Sequence, residues 1–273
     1  MATKISIVIA AFNRPDLTKR CLNAVREFTD IDYELIMIDD GSTIPGNAEI
    51  MQESADVFIK HQNNQGTASS WADGVEAAKG SHVCILDNDV IVTPFWLSKL
   101  IDGIERRGFM ICESCITVII SALLSHQVGY FIHHNGLKSG NLLDVYAVGG
   151  LILFRRDLIE KIGNFDRELS CQWSDLDFSL RAKSMKDKWP EYPGGVKIAI
   201  DPTTVCYHPG WIDPISEKFI SDENQNTRSL PELKDLEHKK NHLKNIQIIK
   251  ERWGIYHDDE QAIMNDIKEL ESK

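Results

Sequence analysis

Four short polar clusters in this 273-residue chain stand where apolar runs stop, and each has a chemistry within reach. Asp87-Asn88-Asp89 follows the run HVCIL. Two carboxylates at i and i+2 in a loop after a strand can approach one metal-bound diphosphate, and a hard cation such as Mg2+ or Mn2+ takes such oxygen ligands. A solvated acidic turn carries the same letters. Asp39-Asp40-Gly41-Ser42 follows LIMI. A carboxylate there can accept hydrogen bonds from a base N–H or ribose hydroxyls, with the glycine letting the backbone turn near the ligand; a plain Asx turn is the alternative. Asp175-Leu176-Asp177 opens a helical segment, where either acid can act as a general base or simply cap the helix and meet its dipole. In Tyr207-His208-Pro209-Gly210-Trp211, His208 lies between a strand and a turn and can supply a nitrogen ligand to the same metal. Trp211 can stack on a sugar or cover core.

The elements that must position these clusters read as a doubly wound α/β unit. KISIVIAAF is a continuous apolar run rich in Ile and Val, as suits a parallel strand covered on both faces. Asn13, Pro15 and Asp16 end it and start a helix through about residue 28, with Pro15 in the tolerated first turn. YELIMIDDGS is a second strand, residues 48–54 a short helix, and VFIKH a third strand leaving through Asn63, Asn64 and Gly66. TASSWADGVEAAKG has helical periodicity, and SHVCILDNDVIV is a further buried strand. Ligands of such sheets gather outside the carboxyl ends of the strands, the side that carries Asp39, Asp40, Asn64, Asp87 and Asp89. Beyond it come an amphipathic helix (PFWLSKLIDGIERRG), an irregular middle, a strand through Phe154 with a short helix after it, the SDLDFSLRAKSM helix, and one or two strands in KIAIDPTTVCYHPG. After Trp211 the chain turns polar and helical.

Composition narrows the partners. Lys and Arg total 30 against 41 Asp and Glu, a formal net charge of -11, which disfavours nucleic acid and adhesion to anionic membranes. A phosphorylated ligand stays open if a metal cancels the charge. The longest apolar stretch, about residues 116–124, is far short of the ~20 residues of a membrane helix. The N-terminus meets polar residues too soon for a signal peptide. Six cysteines are sparse for a disulfide scaffold, so a reducing, cytoplasmic setting is expected. Cys112 and Cys115 have redox-like spacing without a second pair and read as structural thiols. His133-His134 can face an acceptor or lie on the surface, Arg155-Arg156 can counter the acidic field or meet a diphosphate, and Lys239-Lys240 reads as a solvated face.

Taken together, the ordered segments resemble family 2 glycosyltransferases, which have the nucleotide-diphospho-sugar transferase fold called GT-A. The likeness runs through IVIAAFNRPDLTKRCLNAV, ELIMIDDGS, NNQGTASSWADGVEAAKGSHVCILDND, GGLILFRRDLIEKIGNFD and SDLDFSLR, over roughly residues 4–210. Ser174 stands where the family often has glutamate, Phe178 replaces a common leucine, and Trp71 and Asp73 depart from the pattern of the donor-side helix. The resemblance implies a Rossmann-like, mostly parallel central sheet flanked by helices. It divides the chain into a catalytic domain over 1–212 (a nucleotide-sugar half, 1–92, and an acceptor half, 93–212) and a helical C-terminal extension over 213–273.

By the same resemblance, Ala10, Phe12 and Arg14 line the nucleotide pocket, joined by Asp39, Asn64, Gly66, Asp87 and Asn88. Asp40 faces uracil. Asp89 and His208 hold Mn2+ or Mg2+, and Asp175 is the general base. Trp173, Asp177 and Trp211 shape the sugar or acceptor pocket. The implied reaction is metal-dependent, inverting transfer from a nucleotide-diphosphate sugar, UDP-linked by preference, to a hydroxyl of a saccharide, lipid-linked saccharide or protein. No membrane-spanning tail is expected, while peripheral association with the inner face of the membrane and homo-oligomerisation stay open. Two other functions suit a nucleotide-binding α/β chain. Nucleotidyl transfer to a sugar phosphate usually carries a glycine-rich, arginine-containing opening loop, which is missing here. The other is a non-catalytic nucleotide-sugar or carbohydrate-binding module.

Overall fold

The computed structural model describes residues 5–107, 111–120, 123–125, 143–144, 150–170, 173–185, 198–208, 236–254 and 260–271. The alternation expected from the apolar runs is present. Strand β1 (Ile5–Ala11) leads to α1 (Pro15–Phe28), β2 (Tyr33–Asp39) to α2 (Asn47–Ser54), β3 (Val57–Lys60) to α3 (Thr67–Ala77), and β4 (His82–Leu86) to α4 (Trp96–Arg107). There follow β5 (Ile111–Ile120), β6 (Leu123–Ser125), β7 (Leu143–Asp144), β8 (Leu151–Arg155), α5 (Leu158–Ile162), α6 (Ser174–Ser184) and β9 (Ile198–His208). The C-terminal part contributes α7 (Leu236–Trp253) and α8 (Glu260–Glu271).

Among the described residues the sheet runs β3-β2-β1-β4-β8-β5-β9-β7, with β6 paired to β5. The first four strands are parallel, in the register Ala11↔Asp39, Val8↔Ile85 and Asp39↔Lys60. Strand β8 enters antiparallel to both β4 and β5, and β9 returns parallel to β5. The sheet is therefore mixed, with its parallel block under the first two acidic loops.

Burial explains the continuous apolar runs. Ile5, Ile7 and Ile9 join Leu35 and Met37, Leu22 and Val25 of α1, and Leu97 and Leu100 of α4 in one buried cluster. The alternate residues Val8, Ile36, Ile38, Val83 and Ile85 face the other way, onto Trp71 and Val75 of α3 and Phe178 of α6. Each strand thus feeds two cores, and a fully buried Ile or Leu contributes about 1.5–3 kcal/mol. An aromatic group locks the second layer. Phe165 stacks on Phe178 at 4.4 Å, and Trp71 meets Phe165 edge-on at 5.3 Å. No helix among the described residues is long and apolar enough to cross a membrane.

Candidate active site

Parallel pairing brings the acidic loops to one edge of the sheet. Ala11 pairs with Asp39, so the loops after β1 and β2 leave side by side. Val8 pairs with Ile85, so Asp87 emerges two residues later, level with Ala10. Asn13, in a left-handed conformation with φ 54°, staples the first two loops together. Its Oδ1 accepts the backbone N–H groups of Thr43 at 2.7 Å and Ile44 at 2.9 Å, and its own N–H donates to Ser42 Oγ at 3.0 Å. Ala10, Phe12 and Arg14 flank this staple, all half-buried.

The two neighbouring acids differ in role. Asp39 is fully buried; its Oδ1 accepts the Ser42 N–H at 3.1 Å, and the Lys60 ammonium stands 3.9 Å from its Oδ2, which has no hydrogen-bond partner among the described residues. Asp40 is also buried, and both its oxygens are engaged. Oδ1 accepts the Gln65 N–H at 2.9 Å and faces His61 Nδ1 at 2.7 Å, while Oδ2 accepts the Gly66 N–H at 2.9 Å. Asp40 therefore clasps the N-terminus of α3. His61 Nε2 in turn faces Asp73 Oδ2 at 2.8 Å, and Asp73 Oδ1 takes Arg167 at 2.7 Å. Burial alone would raise the Asp73 pKa, but the bonds from Arg167 and His61 outweigh it and lower it. A single polar chain thus runs from β2 through α3 to the segment before α6.

Two glycines let the loops close. Gly66 has φ 87° and ψ 161°, a region essentially restricted to glycine, and a Cβ there would stand 1.9 Å from the Ser170 carbonyl oxygen. Gly41, at φ 79°, would put a Cβ 2.5 Å from the Asn63 carbonyl carbon. Asn64, exposed, accepts the Gly66 N–H at 3.1 Å.

Asp87, Asn88 and Asp89 are half-buried. The Asn88 amide donates to Thr18 Oγ1 at 2.9 Å, which fastens the loop to α1. Cys21 lies beneath: burial first, then the charges of Asp89 and Asp87, push its thiol well above its ordinary pKa. Across the loop exit, Ile91 and Tyr207 exchange backbone hydrogen bonds at 2.7 and 2.9 Å. Position 208 therefore follows directly on a residue paired two positions beyond Asp89. The His208 side chain and Trp211 lie outside the described residues, as do His133, His134 and the Cys112 and Cys115 side chains. Among the described residues, no three His, Cys, Asp or Glu side chains gather to hold a metal ion.

Farther along the chain, Trp173 takes a left-handed φ of 71° and sits at the N-cap of α6. Asp175 is half-buried in the first turn, its Oδ1 accepting the Leu176 N–H at 2.8 Å. Desolvation raises its pKa, against the lowering by the N–H groups of Leu176 and its own residue. Asp177 is fully buried, and its oxygens are taken by Arg181 at 2.7 Å and by Trp253 Nε1 at 3.0 Å. Both oxygens of this acid are engaged by its own chain.

Sequence reasoning missed Asn13, His61 and Arg167. Only His61 left a signal there: a histidine closing a parallel strand at the ligand-side edge.

The family model for glycosyl transferase family 2 matches residues 6–163, more than half of the chain. An uncharacterized glycosyltransferase of Bacillus subtilis, YwdF, is 28% identical over 187 residues, or 66% of this chain and 68% of that protein. The chain spans 57% of another relative's length. Among solved structures, Staphylococcus aureus TarS 1-349 in complex with UDP-GlcNAc matches with a TM-score of 0.58 at 14% identity, covering 98% of this chain and 71% of that one. The mannosyltransferase PcManGT of Pyrobaculum calidifontis, in complex with GDP-Man and Mn2+, matches with 0.57 at 13% identity, over 97% and 69%. These likenesses give the fold. Together with the family match they establish that the chain belongs to glycosyl transferase family 2 and is a glycosyltransferase of the GT-A fold.

Proposed function

We propose that this protein is an inverting, divalent-metal-dependent glycosyltransferase. It moves a sugar from a UDP-linked donor to a hydroxyl of a saccharide or glycoconjugate. The observation that carries the reading is the convergence at one sheet edge. The loops of Asp39 and of Asp87–Asp89 leave the same end of the parallel block, and the Ile91–Tyr207 bridge brings position 208 beside the second loop. Asp89 and His208 would hold the divalent cation, with Asp87 beside it as a further hard oxygen donor toward the nucleotide. Such an ion, when bound, neutralises charge on the departing diphosphate.

The chain's own groups supply the rest. Asp39 offers a buried Oδ2, paired only at 3.9 Å with Lys60 among the described residues, to a base N–H. Asp40 sets the Gly66 loop and with it the start of α3. Asp175 removes the proton of the attacking hydroxyl. Its raised pKa lies nearer to neutrality than an exposed carboxylate's, which suits a base. Attack opposite the diphosphate inverts the anomeric centre. Positioning and charge compensation carry the rate. On this reading the protein works in the cytoplasm, at the inner face of the membrane when the acceptor is lipid-linked.

Hydrolysis of UDP- and GDP-sugars with Mn2+ tests the reading before any acceptor is known. Wild-type protein is expected to release UDP, and Asp89→Ala to lose at least about 100-fold of that turnover while keeping its fold. Turnover in Asp89→Ala equal to wild type, or release of pyrophosphate, refutes it.

A further inference from the structure

The acceptor-side turn is held from outside its own domain half. Asp177 has no exposed surface, and its own helix supplies one donor, Arg181 Nε, to Oδ2. The other oxygen receives Trp253 Nε1 at 3.0 Å and Arg252 Nη1 at 3.4 Å, both from the last turn of α7. Arg252 also binds Asp166 Oδ2 at 2.6 Å, in the segment that leads into α6. Burial works to raise the Asp166 pKa, but the Glu168 N–H and Arg252 outweigh it and lower it. At the other end of the turn, Trp173 stacks on His242 at 6.4 Å and 29° and packs against Ile246 of α7 and Ile263 of α8. Leu176 packs on Ile249 of α7. Asp175 lies between these two anchor points.

We infer that Arg252 and Trp253 are positioning residues for the transfer step, fixing the rotation of the first turn of α6 so that the Asp175 carboxylate meets the acceptor hydroxyl. The inference rests on the reading of Asp175 as the base. Two physical facts support it. A buried carboxylate that loses its partners must move or rehydrate, and Asp177 is two residues from Asp175. Trp173 holds a left-handed conformation, which persists only where surrounding packing over-determines it. Loosening α7 releases both restraints, and a displacement of about 1 Å at a reacting group costs roughly 100-fold in rate. Among the described residues, the charged groups of the surrounding elements, Asp166, Glu168, Asp177, Arg181 and Arg252, are paired with one another and not with Asp175.

The test uses the full chain. Trp253→Phe removes one N–H and keeps a ring; Arg252→Met and Arg252→Lys form a second pair. Donor affinity is measured by calorimetry with UDP-GlcNAc, UDP-glucose and GDP-mannose in Mn2+, and turnover as donor hydrolysis at saturation. The Asp175 carboxyl is titrated by 13C NMR, assigned with Asp175→Asn. In Trp253→Phe, turnover is expected to fall about 10-fold or more, donor affinity to stay within about twofold, and the raised Asp175 pKa to move down toward the ordinary carboxylate range. Arg252→Lys is expected to recover most of what Arg252→Met loses. A folded Trp253→Phe protein with unchanged turnover and unchanged Asp175 titration overturns the inference. So does a loss of donor affinity in proportion to turnover. Normal hydrolysis by Asp175→Asn would instead sink the assignment of the base, while the titration still reads whether α7 controls that turn.

Discussion

Replacing His61 by alanine should be among the most damaging single changes around the parallel block, although His61 belongs to no motif. The His61–Asp40 contact is 2.7 Å, with both side chains about 5–6% exposed. A buried hydrogen bond to a carboxylate contributes about 1.5–3 kcal/mol, and Asp40 keeps the Gln65 and Gly66 N–H groups when the ring is gone. The contact with Asp73, 2.8 Å long, is 25% exposed on the acid side, and Asp73 keeps Arg167. That bond adds about 1.5 kcal/mol, at the low end for a charged acceptor. The sum is roughly 3–4.5 kcal/mol, a large share of the ~5–15 kcal/mol that holds a domain folded. Equilibrium urea unfolding reads it directly: at a slope of about 3 kcal/mol/M, the midpoint falls by roughly 1–1.5 M. His61→Asn puts an amide N–H near the Nδ1 position, so it should keep the Asp40 bond and lose only the smaller amount. A midpoint for His61→Ala within about 0.3 M of wild type, or no advantage of asparagine over alanine, would refute the reasoning.

Gly66→Ala drives a Cβ into the Ser170 carbonyl and forces a non-glycine residue into a glycine-only region. The expected loss is about 2–6 kcal/mol from strain and overpacking together, read as a lower melting temperature with weaker donor binding. Asp175 has a folded-state pKa above its unfolded value, so its contribution to stability is present at low pH and is lost as pH rises through the folded pKa. Asp175→Asn should therefore raise the melting temperature at pH 7 and lose that gain below the ordinary carboxylate range; a lower melting temperature at pH 7 would contradict the desolvation. The same titration sets activity, which should rise with pH through the raised pKa. Cys21 and Cys84 are fully buried with thiols held well above their usual pKa by burial first, so native protein should leave both unmodified by thiol reagents that label them at once in denaturant.

The parallel block was legible because its strands are buried on both faces. IVIAAF and VCIL are apolar runs, and the exits of their strands lead to the polar loops. Direction was harder. LILF of β8 has the same pattern whichever way it runs, so its antiparallel entry between β4 and β5 leaves no trace in the letters. The acids were visible but their partners were not. Asp40 reads as a ligand-facing carboxylate, yet it binds N–H groups 25 and 26 residues away. Asp73 stood out only as a departure from a family pattern, and it proves to be the link between His61 and Arg167. Asp177 reads as an acid of the α6 start, and its donors Arg252 and Trp253 lie 75 and 76 residues on. In each case tertiary hydrogen bonding, which has no period in sequence, decides which acids stay open to a ligand.

The long reach from Asp177 to Trp253 also sets an order of events in the cell. Their separation is 76 residues. At a synthesis rate of about 5–20 residues per second, the buried acid waits roughly 4–15 s for its last donor to be made. The parallel block of β1 to β4 has every strand in hand by residue 86 and can condense on the ribosome. The turn with Asp175 gains the restraints of Arg252 and Trp253 only once α7 has been made. A chain shortened before residue 252 would keep every strand of the parallel block and lose both of those donors to Asp177.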